Sequence, residues 1–401
     1  MLSLARSARQ RHAQRVAYRA QRSFRAWVVD ADKGKLKSRE VKHFEHVREL
    51  PQPDPDATVT VDVKYSDLNY KDAMIFQGQH GVVRRFPLVP GIDCAGLVAS
   101  STSELWQRGD AVVLTGNKIG QHSDGGYSEQ CRVQAEWLAP KPESLTLEES
   151  MIIGTAGFTA MQMVLELQDA GLQPGPAPVL VLGAAGGAGS MAVAILAQLG
   201  YKVVASSRRA ESLSSYFQEL GAFDVIGALE RNPKPLQDQR WSAVLDCAGS
   251  PSLGTALAQL QYQGACACIG VAGAQHVEAS LYPFVLRGIR LIGVDATLPW
   301  NVPGYPGDVA TWRRDREKRL EIWRRLDELK LHQALRTMHE ATIPLEELPQ
   351  WCEMPGMKGT GIHVWYCNVL CVVYSMLFLA NAPRIYLEWL LQETSACWIE
   401  D

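Results

Sequence analysis

A buried strand, a glycine-rich turn and an apolar helix follow one another at the centre of the chain. Val179–Leu182 is continuously apolar, as a strand buried on both faces is. The G-x-x-G-x-x-G turn Gly183–Gly189 follows, then a predicted apolar helix from Ser190 to Leu199 and a second strand, Lys202–Ala205. Glycines let the backbone approach a pyrophosphate, and a helix N-terminus offers free N–H groups. The pattern predicts a dinucleotide-binding unit; the alternative is a tight turn in an ordinary α/β protein.

The chain before about residue 150 reads as short strands separated by turns. Thr58–Tyr65 alternates polar and apolar residues, as a half-buried strand does, and Ala111–Leu114 is a strand after a Gly-Asp turn. Pro and Gly interrupt the pattern often, which predicts a compact barrel-like β domain. Helical patterns begin at Leu147 and continue from Phe158 to Leu167.

Strands and helices alternate again beyond Arg209, which predicts a parallel sheet. Strands are predicted over residues 244–246, 265–271 and 290–295, and helices over 253–260 and 312–330. A Pro- and Gly-rich loop is predicted over 299–311, and a final strand over 359–364.

The two ends of the chain differ from the rest. Residues 1–25 carry seven arginines, and the first acidic residue is Asp30. This composition is typical of a mitochondrial transit peptide and predicts a matrix location. The alternatives are a disordered basic arm or a wrongly chosen start codon, with the protein in the cytoplasm.

Residues 366–401 form an atypical apolar tail. The segment Val364–Ala380 is nearly continuously apolar and lies at the lower length limit for a membrane span. A membrane anchor, an extra packed helix and an artefact of the gene model all remain open for it.

Composition excludes several classes of protein. The net charge of −3 gives no basic excess for nucleic acid, and the 401 residues suffice for two domains. The nine cysteines form no C-x-x-C pair, so neither a zinc lobe nor a disulfide framework is indicated.

Several short stretches together resemble the zinc-independent medium-chain dehydrogenase/reductases, in particular the quinone-oxidoreductase-like branch that contains the acrylyl-CoA reductases. Besides the glycine turn, these stretches are Leu68–Asp72, Phe86-Pro87, Pro90–Asp93, Gly125–Glu129, Gly154–Ala160 and Gly293–Asp295. The resemblance implies an α/β protein with a GroES-like β-barrel domain and a doubly wound Rossmann domain. The expected ranges are 26–150 and 300–365 for the discontinuous GroES-like catalytic domain, and 151–299 for the NADP-binding domain. The resemblance also implies that the active site lies in the cleft between the two domains. It further implies that the protein is a homodimer.

The resemblance further predicts that the protein uses no metal. The family's zinc enzymes take a cysteine and a histidine as ligands where this chain has Asn69 and Ile92. Isoleucine cannot bind zinc, and an amide is a poor ligand for it.

Tyr70 is the candidate for polarising the substrate, because its hydroxyl is a donor at neutral pH. The resemblance places it against the nicotinamide end of the cofactor; the alternative is an aromatic packing wall. Asn69 and Asp72 are the other catalytic candidates, able to orient substrate or water, although either could simply hold the loop together.

The end of the second strand predicts NADPH rather than NADH. NAD enzymes place a carboxylate there, whereas this chain has Ser206–Arg209 and no carboxylate until Glu211. A hydroxyl and guanidinium groups suit a 2′-phosphate; a solvated basic turn is the alternative. The resemblance assigns the phosphate contact to Ser207 and Arg209, with Arg208 as a weaker candidate. With Tyr70, the cofactor contacts that it implies are Ala185, Gly186, Gly187, Ala188, Gly189, Ser207, Arg208, Arg209, Val271 and Val285.

The resulting hypothesis is an NADPH-dependent reductase of an activated C=C bond, such as that of acryloyl-CoA. A quinone reductase is the alternative within enzymes. A catalytically idle, membrane-attached binding protein is the alternative from another class.

Overall fold

A computed structural model describes residues 23–79, 83, 85–232, 234–271, 273–295, 309–352 and 364–366. Residues 1–22 of the predicted transit peptide, 299–308 of the predicted loop and 367–401 of the apolar tail lie outside these ranges. The predictions for them therefore stay predictions.

The first part of the chain forms a β-rich unit with one short helix. Its elements are β1 (Phe24–Asp32), β2 (Lys35–Phe44), β3 (Val59–Asp67), α1 (Tyr70–Phe76), β4 (Asp93–Ser101), β5 (Ala111–Thr115), β6 (Gln130–Val133) and β7 (Ala139–Pro140). Short 3-10 turns span Val47–Glu49 and Ala135–Trp137. Strands β1 and β2 form a hairpin, while β3, β4 and β5 pair antiparallel and β6 pairs with the free side of β3. The alternation predicted for β3 is present, since Val59, Val61 and Val63 are buried.

One long helix, α2 (Leu147–Asp169), connects this unit to the second sheet. Thr146 caps it: the Thr146 hydroxyl accepts from the backbone N–H of Glu149 (3.0 Å), whose carboxylate accepts from the N–H of Thr146 (2.9 Å). Gly154 has non-helical angles (φ 48°, ψ −158°), so the helix bends there and continues. The two helical segments on either side of Gly154 agree with the helical patterns predicted from Leu147 and from Phe158, and the kinked element spans the predicted boundary at residue 150.

The described residues contain one helix long and apolar enough to cross a membrane, and it is α2. Of its apolar window, 78% is buried inside the protein. This burial is that of a core helix, and α2 packs on both sheets.

The second sheet is parallel and has the doubly wound order. Its elements are β8 (Val179–Leu182), α3 (Gly187–Gln198), β9 (Val203–Ser206), α4 (Ser214–Glu219), β10 (Asp224–Ile226), β11 (Trp241–Asp246), α5 (Leu253–Ala258), β12 (Leu260–Cys268), α6 (Tyr282–Arg287) and β13 (Arg290–Gly293). The strands lie in the order β10-β9-β8-β11-β12-β13. The order reverses between β8 and β11, where nucleotides bind in such sheets. The predicted Rossmann architecture is confirmed, but the helix predicted over 253–260 ends at Ala258 because Leu260 pairs with Trp241 as a strand.

The chain then returns to the first sheet. The elements are α7 (Val309–Glu328), α8 (His332–Met338), β14 (Thr342–Ile343), a 3-10 turn (Leu345–Glu347), α9 (Leu348–Cys352) and β15 (Val364–Tyr366). Helix α7 buries the apolar side chains of Ile322, Trp323 and Leu326, so one side of it packs on the core. Strand β15 pairs antiparallel with β3, so the sheet that contains β3 is completed by a strand from the C-terminal part of the described chain.

Candidate active site

The glycine turn after β8 brings helix α3 unusually close to the end of the strand. A Cβ at Gly189 would lie 2.2 Å from the carbonyl oxygen of Gly183 and 2.7 Å from the Cα of Ala184. Gly183 itself has φ +70°, where a side chain is strained. Both positions therefore need glycine, which explains the first and last glycines of the motif.

The N-terminus of α3 is suited to an anion. Its N-cap residue is Gly186, and no side chain caps the helix. The N–H groups of the first turn, from Gly187 to Gly189, therefore remain for a ligand, and the helix dipole favours negative charge there. A pyrophosphate fits this chemistry.

The predicted 2′-phosphate site lies beside this turn. The N–H of Ala184 donates to the carbonyl of Ser206 at 3.2 Å, which joins the glycine turn to the end of β9. The Ser207 hydroxyl is buried and accepts from the N–H of Arg209 (3.1 Å). Arg208 is exposed and Arg209 half-buried. The structure thus brings the two predicted cofactor segments together.

Asp246, at the end of β11, forms the opposite side of the crevice and was not among the predicted site residues. Its buried carboxylate accepts from the N–H groups of Ala248 (3.2 Å), Gly249 (3.0 Å) and Ser250 (3.0 Å). Burial raises the pKa of Asp246 despite these bonds. The loop of residues 248–250 that follows β11 contacts the glycine turn, because a Cβ at Gly183 would lie 2.6 Å from the Cβ of Ala248. The available sequence signal was a carboxylate ending an otherwise apolar strand.

The two predicted valine contacts lie in different places. Val271 follows β12 at the carboxyl edge of the sheet and is 69% exposed. Val285 is on α6 and 78% exposed. In the same helix, Arg287 donates to the carbonyls of Ala258 (2.8 Å) and Leu260 (3.0 Å), at the amino-terminal end of β12. Helix α6 is thereby anchored toward the edge opposite the glycine turn, and this position does not support the predicted contact of Val285 with the cofactor.

The catalytic candidates lie at the start of α1. Asn69 is its N-cap, and Asp72 accepts from the N–H of Asn69 (3.0 Å) and of Ile92 (3.0 Å). Asp72 is completely buried, and burial followed by the charge of Asp93 raises its pKa to about 7. The prediction that Asp72 orients substrate therefore needs correction: its oxygens are committed to backbone donors, as the alternative of a loop brace requires.

Tyr70 is the first residue of α1 and remains 42% exposed. Within the described chain its hydroxyl has no hydrogen-bond partner, so it is open to a ligand. These features fit a substrate donor better than the alternative of a packing wall.

The residues at the family's metal positions do not fit zinc. Ile92 is buried and has no ligating atom. The side-chain amide of Asn69 donates to Asp67 (2.6 Å) and Asp93 (3.1 Å) and is already committed. Among the described residues, no group of three His, Cys, Asp or Glu side chains is placed to hold a metal ion.

Helix α2 connects the α1 region to the nucleotide unit. Thr155 donates to Asp93 from its hydroxyl (2.5 Å) and its N–H (2.7 Å). Two residues later, a Cβ at Gly157 would lie 3.2 Å from the sulfur of Met191 in α3. One turn of α2 thus touches both halves of the candidate site.

Two family descriptions match the chain over the parts just described. Residues 55–143 match "Alcohol dehydrogenase GroES-like domain", and residues 187–303 match "Zinc-binding dehydrogenase". The first covers most of the β-rich unit, and the second covers α3 to β13, so the matches agree with the two predicted architectures.

Individual relatives cover most of the chain. It is 42% identical to "Acrylyl-CoA reductase AcuI" of Ruegeria pomeroyi over 73% of this chain and 86% of the relative. It is 38% identical to "Putative quinone oxidoreductase YhfP" of Bacillus subtilis over 76% and 88%. The crystal structure of yhdH oxidoreductase from Salmonella enterica in complex with NADP superposes with a TM-score of 0.74 at 36% identity, covering 85% of this chain and 98% of that one.

Proposed function

Because this chain belongs to the medium-chain dehydrogenase/reductase family, we propose that it is an NADPH-dependent reductase of an activated C=C bond, such as that of acryloyl-CoA. The observation that carries the proposal is the junction of the uncapped α3 N-terminus with the Ser207–Arg209 segment. The 42% identity to an acrylyl-CoA reductase over most of both chains supports the substrate class.

The cofactor follows from the groups at the end of β9. Ser207 and the two arginines supply a hydroxyl and positive charge, and no carboxylate is present there to receive the ribose hydroxyls of NADH. The Salmonella relative binds NADP according to its description, in agreement with NADPH as the reductant.

The residues of this chain would bind, orient and stabilise charge. NADPH, when bound, supplies a hydride, which we expect to add to the β-carbon of the enoyl thioester. Negative charge then develops on the thioester oxygen and must meet preorganised donors. The exposed hydroxyl of Tyr70 is such a donor. A proton reaches the α-carbon from solvent or a side chain, and binding of the distant CoA part helps to hold the alkene in place.

A quinone reductase is the second candidate, supported by the 38% identity to YhfP. The two functions differ in their acceptor: a flat ring requires apolar walls, whereas a CoA thioester requires basic groups at the rim. An idle binding protein is disfavoured, because the glycine turn and the basic segment are both intact.

A homodimer is the proposed assembly. Strand β13 is an edge of the parallel sheet. Close to it in the chain, α6 and the residue before it expose the apolar side chains of Leu281, Tyr282, Val285 and Leu286, each by more than half. An exposed edge strand beside an apolar patch favours pairing with a second copy.

We further propose that the protein acts in the mitochondrial matrix, on the arginine-rich composition of residues 1–25. Recovery of the mature protein from isolated mitochondria with its N-terminus near residue 26 supports this. A purely cytosolic protein with an intact N-terminus contradicts it.

The purified protein tests the function through NADPH absorbance, with acryloyl-CoA, free acrylate and a simple quinone compared under the same conditions. We expect acryloyl-CoA to be reduced far faster than acrylate, with a chelator having no effect. Rapid quinone turnover with no reduction of enoyl thioesters would favour the second candidate. Loss of activity in chelator with recovery in zinc would contradict the metal-free site.

A further inference from the structure

Two buried aspartates lie side by side next to the candidate catalytic residues. Asp67 ends β3 and Asp93 begins β4, and both are buried (2% and 0% exposed). Both carboxyl groups accept from the same amide nitrogen, Nδ2 of Asn69, at 2.6 Å and 3.1 Å. Two negative charges this close in a buried site repel each other strongly, so one of the two groups holds a proton.

The surrounding donors identify which group is the acid. Asp93 accepts four hydrogen bonds in the described chain: from Asn69 Nδ2, from the N–H of Gly116 (3.2 Å), and from the hydroxyl and N–H of Thr155. Asp67 accepts one, from Asn69 Nδ2 to its Oδ1. Four donors stabilise a negative charge on Asp93, which leaves the proton on Asp67. Burial and the neighbouring carboxylates accordingly raise the pKa of Asp67 well above its usual range.

The pair lies where the ends of β3 and β4 meet two helices, α1 and α2. The Asn69 amide is held between the two aspartates, and Asn69 is the N-cap that precedes Tyr70. A Cβ at Gly154 would lie 2.1 Å from Oδ2 of Asp67, so the backbone of α2 contacts the Asp67 carboxyl group at its kink. The acid pair therefore fixes the start of α1 relative to α2.

We propose that Asp67, as the carboxylic acid that donates to Asp93, is a positioning residue that holds Asn69 and, through it, Tyr70 in place. This rests on the proposed function, because Tyr70 is the donor assigned to the substrate oxygen. Asp67 is buried and touches neither substrate nor cofactor; it acts through the Asn69 amide.

Two substitutions differ in whether the hydrogen bonds of Asp67 are kept. In Asp67→Asn, the amide oxygen accepts from Asn69 and the amide nitrogen donates to Asp93, so both contacts are retained. In Asp67→Leu, both are lost. A displacement of the reacting groups by about 1 Å costs roughly 100-fold in rate. We expect a loss of about that size in Asp67→Leu, with NADPH affinity changed by no more than about threefold, and a rate within about twofold of wild type in Asp67→Asn.

The test measures single-turnover NADPH oxidation by the full chain, with whichever acceptor the wild-type protein reduces. The test of Asp67 therefore still applies if the protein does not reduce acryloyl-CoA. Each Asp67 variant is also combined with Tyr70→Phe. If Asp67 acts through Tyr70, Asp67→Leu costs much less in the Tyr70→Phe background. Equal losses in both backgrounds, or an Asp67→Asn variant as slow as Asp67→Leu, would overturn the proposal.

Infrared spectroscopy keeps the proposal testable if Asp67→Leu does not fold. The C=O stretch of a protonated, buried carboxylic acid should be present in the wild-type protein near neutral pH, and the difference spectrum between wild type and Asp67→Asn should show it as a lost band. If Asp67→Asn removes no such band, Asp67 does not hold the proton and the proposal is wrong. This readout needs neither substrate nor turnover.

Discussion

Thr155 donates two hydrogen bonds to Asp93, one from its hydroxyl at 2.5 Å and one from its N–H at 2.7 Å. The two residues are 62 positions apart in the chain and belong to α2 and β4. The contact ties the β-rich unit to the helix that packs on the nucleotide unit. Its effect is to place Asn69 and Tyr70 at a fixed junction between the two parts of the fold.

Arg209→Ala should weaken NADPH binding selectively. Loss of a hydrogen bond to a charged phosphate costs about 1–3 kcal/mol, a roughly 5- to 150-fold rise in Kd. NADH lacks that phosphate, so its Kd should change little. Fluorescence titration of both cofactors measures this, with Arg108→Ala, at an exposed arginine of the β-rich unit, as a matched control. Equal weakening of both cofactors by Arg209→Ala would mean that Arg209 does not read the phosphate.

Gly189→Ala should damage the cofactor site through the backbone. Its Cβ would meet the Gly183 carbonyl at 2.2 Å, and neither backbone segment can yield without displacing the turn. We expect overpacking to lower the free energy of unfolding by about 1–3 kcal/mol and to weaken NADPH binding. Gly227→Ala is the control, because a Cβ there meets nothing within 4 Å. Stability is measured by urea unfolding and NADPH binding by titration. If Gly189→Ala changes neither, the close approach of Gly189 to the Gly183 carbonyl is contradicted.

Stability should fall as pH rises from acid to neutral. Burial raises the pKa of Asp72 to about 7 and of Asp124 to about 6, and raises that of Asp67 as well. Unfolded aspartates titrate near 4, so between about pH 4 and about pH 7 the folded protein binds more protons than the unfolded chain. This stabilisation is complete below the unfolded pKa and is lost as pH rises through the folded values.

Urea unfolding at about pH 5 and about pH 8 measures this loss. In Asp67→Asn the free energy of unfolding should decrease less between the two pH values than in wild type, because one carboxyl group with a raised pKa is removed. The exposed carboxylate replaced in Asp56→Asn provides the control and should leave the decrease unchanged. A wild-type protein that is more stable at the higher pH would contradict the raised pKa values.

Val285→Glu should disrupt the proposed homodimer. A charge in the centre of the exposed apolar patch is costly to bury, so the protein should sediment as a monomer. Leu105→Glu, at a 48% exposed apolar side chain of the β-rich unit, is the matched control. If Val285→Glu remains a dimer but loses NADPH affinity, the original prediction that Val285 contacts the cofactor is correct and the proposed interface is wrong.

The nucleotide unit could be predicted from sequence because its signals are local. A continuous apolar run, glycines at fixed spacing and a basic strand end all lie within residues 179–209. The acid pair could not be predicted in this way, because it depends on the register of β3 against β4 and on the kink at Gly154. The role of Asp72 was open for the same reason: its backbone partner Ile92 lies on a distant segment.

The fate of the hydride tests the central claim most directly. The purified protein is given NADPH deuterated at the transferred position of C4 together with acryloyl-CoA, and the thioester product is analysed by mass spectrometry and NMR. We predict propanoyl-CoA with one deuterium on the β-carbon, formed equally well in the presence of a chelator. Deuterium on the α-carbon, or oxidation of NADPH by quinones with no propanoyl-CoA, would contradict a reductase that adds hydride to an enoyl thioester.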